Sequence, residues 1–298
     1  MIEVKGLTKR FGPFTALDKV DLKINKGAVC GLVGPNGAGK TTLIRHLAGL
    51  YRQDEGEVTI GGEPPYDNAD VKGRCIFIQD DVAAYLHWNM ETMHAFYRDM
   101  YPAFDEDLYR ELDKFLPPID PKKRIAKLSR GMKKQVAFRL AIASKPEVLL
   151  LDEPVDGLDP VVRHQMWSVL MRRVSGGSLT VLVSSHNLRE LEDVCDSIVI
   201  MDRGRIKLAS DCDELKNGIT KLQVAFSDGM IREPTGLDVL HCRADGNIRE
   251  YVVRGDSEEI KAEFERLSPA FMQQTAVSLE EVFIYALGGE NDEIKEIL

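Results

Sequence analysis

One stretch of the sequence fits the pattern G-x-x-x-x-G-K-[ST] and decides the fold: Gly34-Pro35-Asn36-Gly37-Ala38-Gly39-Lys40-Thr41-Thr42. An apolar run over residues 28–33 comes directly before it and has the length of a buried strand. A helix is predicted over residues 41–51, where Leu43, Leu47 and Leu50 fall on one face. This strand–loop–helix context separates a phosphate-binding loop from a chance glycine-rich turn.

The chemistry of phosphate binding explains the residue types of this loop. Glycines permit positive φ angles, so several backbone N–H groups can turn inward around phosphate oxygens. The helix that begins near Lys40 presents the positive end of its dipole to the same anion. Lys40 has the reach to contact the β- and γ-phosphates, and the Thr41 hydroxyl is a ligand for Mg²⁺. Residues 34–42 are therefore predicted to bind a nucleoside triphosphate with Mg²⁺.

A second apolar run, over residues 148–151, ends in Asp152-Glu153-Pro154. The carboxyl ends of strands line the ligand crevice in open α/β sheets, so both carboxylates are expected at that crevice. Asp152 is then a candidate to hold Mg²⁺ through water, and Glu153 to orient or deprotonate the attacking water. The alternative is a strand that simply ends in a polar turn, which the phosphate loop upstream disfavours.

Composition and charge exclude several classes of protein. With 44% hydrophobic and 29% charged residues, the chain of 298 residues resembles ordinary globular proteins. Its formal net charge of −9 disfavours nucleic acid as the main partner. No signal peptide and no run of about 20 apolar residues is evident, so we expect no membrane crossing by the chain itself. The scattered cysteines fit reduced thiols and include no CxxC pair: Cys30, Cys75, Cys195, Cys212 and Cys242.

The order of predicted elements gives the domain organisation. Short strands open the chain, and apolar runs at 148–151, 179–183 and 198–201 alternate with helices, which predicts a mainly parallel sheet covered by helices. Residues 1–214 are predicted to form one domain and residues 215–298 a small α/β domain. In the latter, half-exposed strands precede a helical stripe and a last helix. That helix is predicted to begin with a capping box at Ser278 and Glu281 and to end at Gly288-Gly289.

Further motifs resemble the ABC ATPase family and stand in that family's order. They cover residues 1–214. Leu128-Ser129-Arg130-Gly131-Met132 stands where the LSGGQ signature belongs, and Gly157-Leu158-Asp159 matches the D-loop. Ser184-Ser185-His186 ends a strand as the switch histidine does. Gln79 stands at the Q-loop position, and Phe11 matches the aromatic residue that stacks on adenine. Each of these residues alone is more often structural; their common order favours the functional interpretation.

The resemblance implies a P-loop NTPase fold of the ABC type: a mainly parallel sheet core, an antiparallel β subdomain and a helical subdomain at about 81–145. It also implies a head-to-tail dimer that encloses two ATP molecules. Ser129 and Gly131 would touch the γ-phosphate held by the partner, and His186 the γ-phosphate of its own subunit. Gln79 would join Mg²⁺ or the attacking water to the helical subdomain, and Asp159 would cross the dimer interface.

The signature departs from the family pattern at two positions. Arg130 and Met132 replace the usual Gly and Gln, whereas Ser129 and Gly131 keep the hydroxyl and the close backbone approach. We expect hydrolysis to persist with a changed rate. Such a signature is similar to those of ABC-2-type exporter subunits, and the chain's last predicted helix, from Ser278, resembles them too.

Two segments are candidate partner surfaces. Residues 81–102 are rich in Met and aromatic residues, which fits either the core of the helical subdomain or a groove for a helix of a membrane subunit. A basic cluster fits a solvated helix face that partly faces the partner's triphosphate, with nucleic acid or lipid headgroups as alternatives: Lys122, Lys123, Arg124, Lys127, Arg130, Lys133 and Lys134.

These observations predict an ATPase motor of an ABC transporter, acting as a homodimer or as a heterodimer with a related ATPase. It would drive a separately encoded transmembrane permease, an exporter, from the cytoplasmic face of the cell membrane. The alternative is a soluble, non-transport ABC ATPase in signalling, ribosome function or DNA metabolism. Such proteins typically carry two cassettes or long insertions, and the sequence shows neither. The C-terminal domain is expected to be a stabilising lid or a regulatory module.

Overall fold

The computed structural model describes residues 1–79, 87–227 and 234–287. The chain divides into two compact units. The first joins Met1–His186 with Val194–Ala209, and the second joins Asn187–Asp193 with the residues from Ser210 onward. The division therefore lies slightly before the predicted boundary at residue 214, and the sequence did not indicate that Asn187–Asp193 belongs with the second unit.

The described part of the chain up to residue 211 contains nine strands: β1 (Ile2–Phe11), β2 (Phe14–Ile24), β3 (Val29–Val33), β4 (Glu55–Ile60), β5 (Cys75–Ile78), β6 (Val148–Asp152), β7 (Thr180–Ser185), β8 (Ser197–Asp202) and β9 (Arg205–Asp211). An antiparallel sheet has the order β2-β1-β4. The larger sheet has the order β5-β6-β7-β3-β8-β9, and its first five strands pair in parallel. The predicted α/β fold, with its mainly parallel core and antiparallel β subdomain, is confirmed.

The central strands are apolar because they are covered on both faces. Every residue of β3, β6 and β7 is buried, as expected of parallel strands packed between layers. Parallel pairing brings the carboxyl ends of these three strands to one edge of the sheet. The segments that follow them are the phosphate loop, the Asp152-Glu153 pair and His186, so the topology itself assembles the candidate site.

Among the described residues, these strands are connected by six helices: α1 (Lys40–Leu47), α2 (Ala69–Gly73), α3 (Met90–Met100), α4 (Glu106–Phe115), α5 (Arg130–Ala143) and α6 (Pro160–Ser175). The first is shorter than predicted, since Gly49 follows with φ 65° and a left-handed residue ends a helix. A 3-10 turn spans Ile125–Lys127. Side chains of Asn89, Asp105, Ser129 and Asp159 accept N–H bonds at the starts of α3 to α6.

The helical region between β5 and β6 has its own small core. Met90 and Met93 of α3 pack with Val136 and Leu140 of α5. Trp88 and Tyr97 are partly buried against this cluster, whereas Met100 is exposed. The core interpretation of the Met- and aromatic-rich segment therefore applies to Met90 and Met93, and the groove for a membrane subunit stays a prediction. The part of that segment at residues 81–86, including Tyr85, lies outside the described residues.

The second unit contains the 3-10 turn Leu188–Glu190 and the elements α7 (Cys212–Lys216), β10 (Ile219–Ala225), β11 (Asp238–Asp245), β12 (Ile248–Arg254), α8 (Ser257–Arg266), β13 (Phe271–Thr275) and α9 (Leu279–Glu281). Its antiparallel sheet has the order β11-β12-β10-β13. Ile260 and Phe264 of α8 pack on the buried side chains of β10 and β12. This unit is an α/β module with a core of its own.

The capping box predicted at Ser278 and Glu281 is confirmed, since each residue's side chain bonds the other's backbone N–H. The helix continues beyond α9 as a π-helical segment, Val282–Leu287. The predicted stop at Gly288-Gly289 lies outside the described residues. No helix among residues 1–79, 87–227 and 234–287 is long and apolar enough to span a membrane.

Candidate functional site

The phosphate loop connects β3 to α1, and its Gly39 packs closely against the backbone of Ala16. Gly39 is the N-cap of α1 and has φ 108°, a conformation that L side chains rarely adopt. A Cβ at this position would lie 2.9 Å from the carbonyl oxygen of Ala16. Glycine is therefore required here by both conformation and space, which keeps the N–H groups at the start of α1 open toward the cleft.

Lys40 carries a buried ammonium at the floor of the loop. Its side chain is almost covered, and Nζ donates to Gly34 O at 2.5 Å and to Pro35 O at 3.3 Å. Nζ also lies 3.8 Å from Oε1 of Glu153. Burial lowers the pKa of Lys40, and the carboxylates of Glu153 and Asp152 oppose this effect. Loop carbonyls and a carboxylate thus hold the cation at the place where a phosphate would bind.

Thr41 and Asp152 form the second feature of the site. The Thr41 hydroxyl donates to Asp152 Oδ2 at 2.8 Å, and the Ser184 hydroxyl donates to Asp152 Oδ1 at 2.6 Å. These oxygen atoms are the ligands that Mg²⁺ prefers. The residues therefore fit a magnesium site made of one hydroxyl and one carboxylate, completed by phosphate oxygens and water. Sequence reasoning assigned no role to Ser184, although its place before His186 was visible.

Glu153 lies at the end of β6 with a left-handed backbone, φ 48°. Its N–H donates to Ser184, and its Oε2 lies 3.0 Å from Nδ1 of His186. Burial raises the pKa of Glu153, while the hydrogen bond and charge of His186 act in the opposite direction, as does Lys40. A carboxylate with a raised pKa is a stronger proton acceptor, which suits a general base.

A cleft of about 340 Å³ lies in front of these groups. Loop residues from Pro35 to Thr42, Asp152 and Glu153 line it, together with Phe14 and Ala16, which sequence reasoning missed. Phe14 is 61% exposed. Phe11, the predicted adenine contact, pairs with Phe14 across the β1–β2 turn, and its ring packs edge-on against Tyr51 at 5.7 Å. The sequence signal for Phe14 was the presence of an aromatic residue on each side of the tight turn between β1 and β2.

The signature residues lie elsewhere in the first unit. Ser129 caps α5, and Asp159 caps α6. A Cβ on Gly131 would lie 3.0 Å from the side chain of Leu158, so the signature and the D-loop are closely packed. Among the residues that the structure describes, neither these groups nor the exposed Gln79 belong to the lining of the cleft. The loop residues, Asp152 and Glu153 are therefore brought together at one cleft, with His186 in contact with Glu153. The other predicted site residues, which also lie in the described part of the chain, do not line that cleft: Phe11, Gln79, Ser129, Gly131 and Asp159.

Comparison with known proteins agrees with this geometry. A family model described as ABC transporter matches residues 17–156. The ABC transporter ATP-binding protein YtrB of Bacillus subtilis (strain 168) is 31% identical over 290 residues, 97% of this chain and 99% of that protein. The chain belongs to the ABC transporter ATP-binding family. As a member of this family it binds and hydrolyses ATP, and it serves as the motor subunit of a transporter.

Two further matches support this conclusion for the ABC ATPase cassette. Daunorubicin resistance ATP-binding protein DrrA3 of Streptomyces coeruleorubidus is 33% identical over 225 residues, 72% of this chain and 69% of that protein. A solved ATP-binding subunit of an ABC transporter superposes with a TM-score of 0.67 and 27% identity, covering 72% of this chain and 92% of that one. The match to YtrB, in contrast, extends through the second unit as well.

Proposed function

We propose that two such cassettes, identical or related, form a head-to-tail dimer that closes on ATP and Mg²⁺ and drives a separately encoded permease. The dimer would sit on the cytoplasmic face of the membrane and power export. Residues 1–214 would form the ATPase domain and residues 215–298 an accessory domain. The observation that carries the proposal is the convergence of Lys40, the Thr41–Asp152 pair and Glu153 on one cleft, with His186 in contact with Glu153.

In this proposal the chain's own residues divide the work of hydrolysis. Lys40 would bind the β- and γ-phosphates, and Thr41 and Asp152 would hold Mg²⁺, which would supply positive charge to the triphosphate. Glu153 accepts a proton from the attacking water, because its carboxylate is partly desolvated and its pKa is raised. His186 orients Glu153 through the 3.0 Å contact and reaches the γ-phosphate. Phe11 and Gln79 keep their predicted roles at adenine and at Mg²⁺ or water.

The arrangement of the signature supports the proposed dimer. Ser129 and Gly131 stand beside the D-loop and not in the lining of the cleft of the same chain. A second copy, rotated head to tail, would supply these residues to the exposed side of the cleft. Asp159 at the start of α6 would then lie at the interface, next to Val161, a large apolar residue that is 67% exposed. A highly exposed valine suits a surface that becomes covered.

The membrane subunit would contact the helical region. Met100 is exposed at the end of α3, and Trp88 and Tyr97 are only partly covered. Met and aromatic side chains are enriched at protein interfaces. Export is proposed from the resemblance of the signature and of the segment from Ser278 to ABC-2-type subunits.

A capture experiment tests the proposal. Tagged Glu153→Gln protein, loaded with ATP and Mg²⁺, is used to isolate partners from detergent-solubilised native membranes, with Lys40→Ala protein as the matched control. Recovery of a multi-span protein by the first variant and not by the second would support the transporter motor. Recovery of soluble partners alone, with the tagged protein absent from membranes, would favour a non-transport ATPase. ATP-driven uptake of the transported substrate into inside-out vesicles, and not into right-side-out vesicles, would establish export.

A further inference from the structure

Lys134 differs from the rest of the basic cluster in being buried. It lies on the second turn of α5 and is 2% exposed. Its Nζ donates to Glu153 O at 2.5 Å and to Asp156 O at 3.0 Å. The sequence placed Lys134 on a solvated helix face, and this prediction is wrong. Instead, the side chain crosses from the signature helix to the segment between Glu153 and the D-loop.

A buried ammonium is costly to retain unless it is well bonded. Lys134 meets this condition with two backbone carbonyls of a segment that is neither helix nor strand. Carbonyls in such turns depend on side chains or water for part of their hydrogen bonding, so the cation and the turn satisfy each other. An apolar side chain of equal length would leave both carbonyl oxygens without this donor.

The conformation held by Lys134 is a demanding one. Glu153 has φ 48°, in the left-handed region that residues with a side chain rarely occupy. Its N–H is held by Ser184 on one side, and its C=O is held by Lys134 on the other. With both ends of the residue fixed, its carboxylate points to the cleft, 3.0 Å from His186 and 3.8 Å from Lys40.

A second contact joins the same two segments. The Arg130 guanidinium lies 3.0 Å from the Asp156 carboxylate. Arg130 and Lys134 are one turn apart on α5 and therefore share a helix face. One binds the side chain of Asp156 and the other its carbonyl, so the start of α5 is attached to the segment that leads from Glu153 to the D-loop.

We propose that Lys134 is a positioning residue for hydrolysis, which holds the Glu153 backbone so that the carboxylate faces the cleft. The inference rests on the proposed function, in which Glu153 is the base and the signature contacts the partner's nucleotide. In the dimer, Ser129 at the start of α5 senses one ATP, and Lys134 on the same helix aligns Glu153 for the other. The Lys134 bonds thus connect the two sites through one rigid helix.

The test compares Lys134→Met, which keeps the length and removes the donor, with Lys134→Gln, which keeps a donor. Lys114→Met on the exposed face of α4 is the matched control, and Glu153→Gln is measured in parallel. Each full-length variant is assayed for fold by circular dichroism, for binding of a fluorescent ATP analogue and for steady-state phosphate release. We expect Lys134→Met to lower kcat at least tenfold, with KM and nucleotide affinity within about threefold of wild type. Lys134→Gln should recover part of the loss.

The outcomes separate the two proposals. Wild-type kcat in Lys134→Met, with Glu153→Gln inactive, would overturn only the role of Lys134. A KM and affinity that change as much as kcat would also overturn it, because the effect would then be on nucleotide binding. Normal turnover in Glu153→Gln would instead refute the base assignment in the proposed function. If Lys134→Met does not fold, Lys134→Gln takes its place: a lowered kcat at unchanged KM would support the positioning role, and a wild-type kcat would overturn it. Loss of folding in both variants would overturn it too, because the role of Lys134 would then be purely structural.

Discussion

The Thr41 hydroxyl donates a hydrogen bond of 2.8 Å to Asp152, although the two residues are 111 positions apart in the sequence. The bond connects the first turn of α1 to the end of β6. It exists because β3 and β6 flank β7 in the parallel sheet, so the segments that follow them meet at one edge. Two oxygen atoms that could bind one divalent cation are thereby held together.

Thr41→Ala should weaken the response to Mg²⁺ more than the affinity for ATP. The substitution removes one oxygen ligand and leaves Lys40 and the loop N–H groups in place. We expect the half-saturating Mg²⁺ concentration for ATP hydrolysis to rise by about one to two orders of magnitude, since loss of a bond to a charged group costs roughly 1.5–3 kcal/mol. A Mg²⁺ titration of phosphate release measures this, with Thr59→Ala on β4 as the control. An unchanged titration would argue against Thr41 as a ligand.

Lys40→Ala should weaken ATP binding by one to two orders of magnitude. The ammonium lies at the floor of the cleft, where the terminal phosphates would bind, and a charge-assisted bond is worth roughly 1.5–3 kcal/mol. Equilibrium titration with a fluorescent ATP analogue measures the change. AMP, which lacks those phosphates, should lose much less affinity than ATP. Equal losses for both nucleotides would indicate a general collapse of the loop.

The rate of hydrolysis should fall on the acid side with the titration of Glu153. Burial raises the pKa of this carboxyl, and protonation removes the base, so kcat is expected to decline as pH falls through the raised pKa. His186 acts against the shift. His186→Gln should therefore move the acid limb to higher pH, besides lowering kcat. A kcat–pH profile of wild type and His186→Gln at saturating ATP and Mg²⁺ tests the direction of this movement. An acid limb that moves to lower pH in the variant would contradict the prediction.

Local patterns predicted the elements around the site, because the phosphate loop and the Asp152-Glu153 pair are read from adjacent residues. The sequence did not predict the strands β9 and β13, whose residues are all half-buried or exposed. It also misjudged Lys134 and overlooked Ser184. Their roles depend on bonds to Glu153 and Asp152, which are distant in sequence, and a basic or hydroxyl residue alone does not reveal which carbonyl or carboxylate it will meet.

The last prediction concerns the second unit, where Glu281 has two partners. Its carboxylate lies 2.6 Å from Nζ of Lys221 and also accepts the N–H of Ser278 in the capping box. Burial alone would raise the pKa of Glu281, but the bonds from Lys221 and Ser278 outweigh it and lower the pKa. A carboxyl with a lowered folded-state pKa stabilises the fold above its ordinary pKa and loses this effect as pH falls through the folded value.

Glu281→Gln should therefore lower the melting temperature at neutral pH by the loss of the ion pair with Lys221, whereas a glutamine oxygen can still accept the Ser278 N–H in the capping box. The difference from wild type should shrink as pH falls below the ordinary range of glutamate, because the wild-type carboxyl then becomes protonated. Lys261→Met is the control, since its bond to the exposed Glu258 joins residues on the surface of α8, where such pairs contribute roughly 0–1 kcal/mol. Thermal melts of the full chain across acid to neutral pH measure both. A difference that stays constant with pH would mean that Glu281 contributes through shape and hydrogen bonding rather than through its charge.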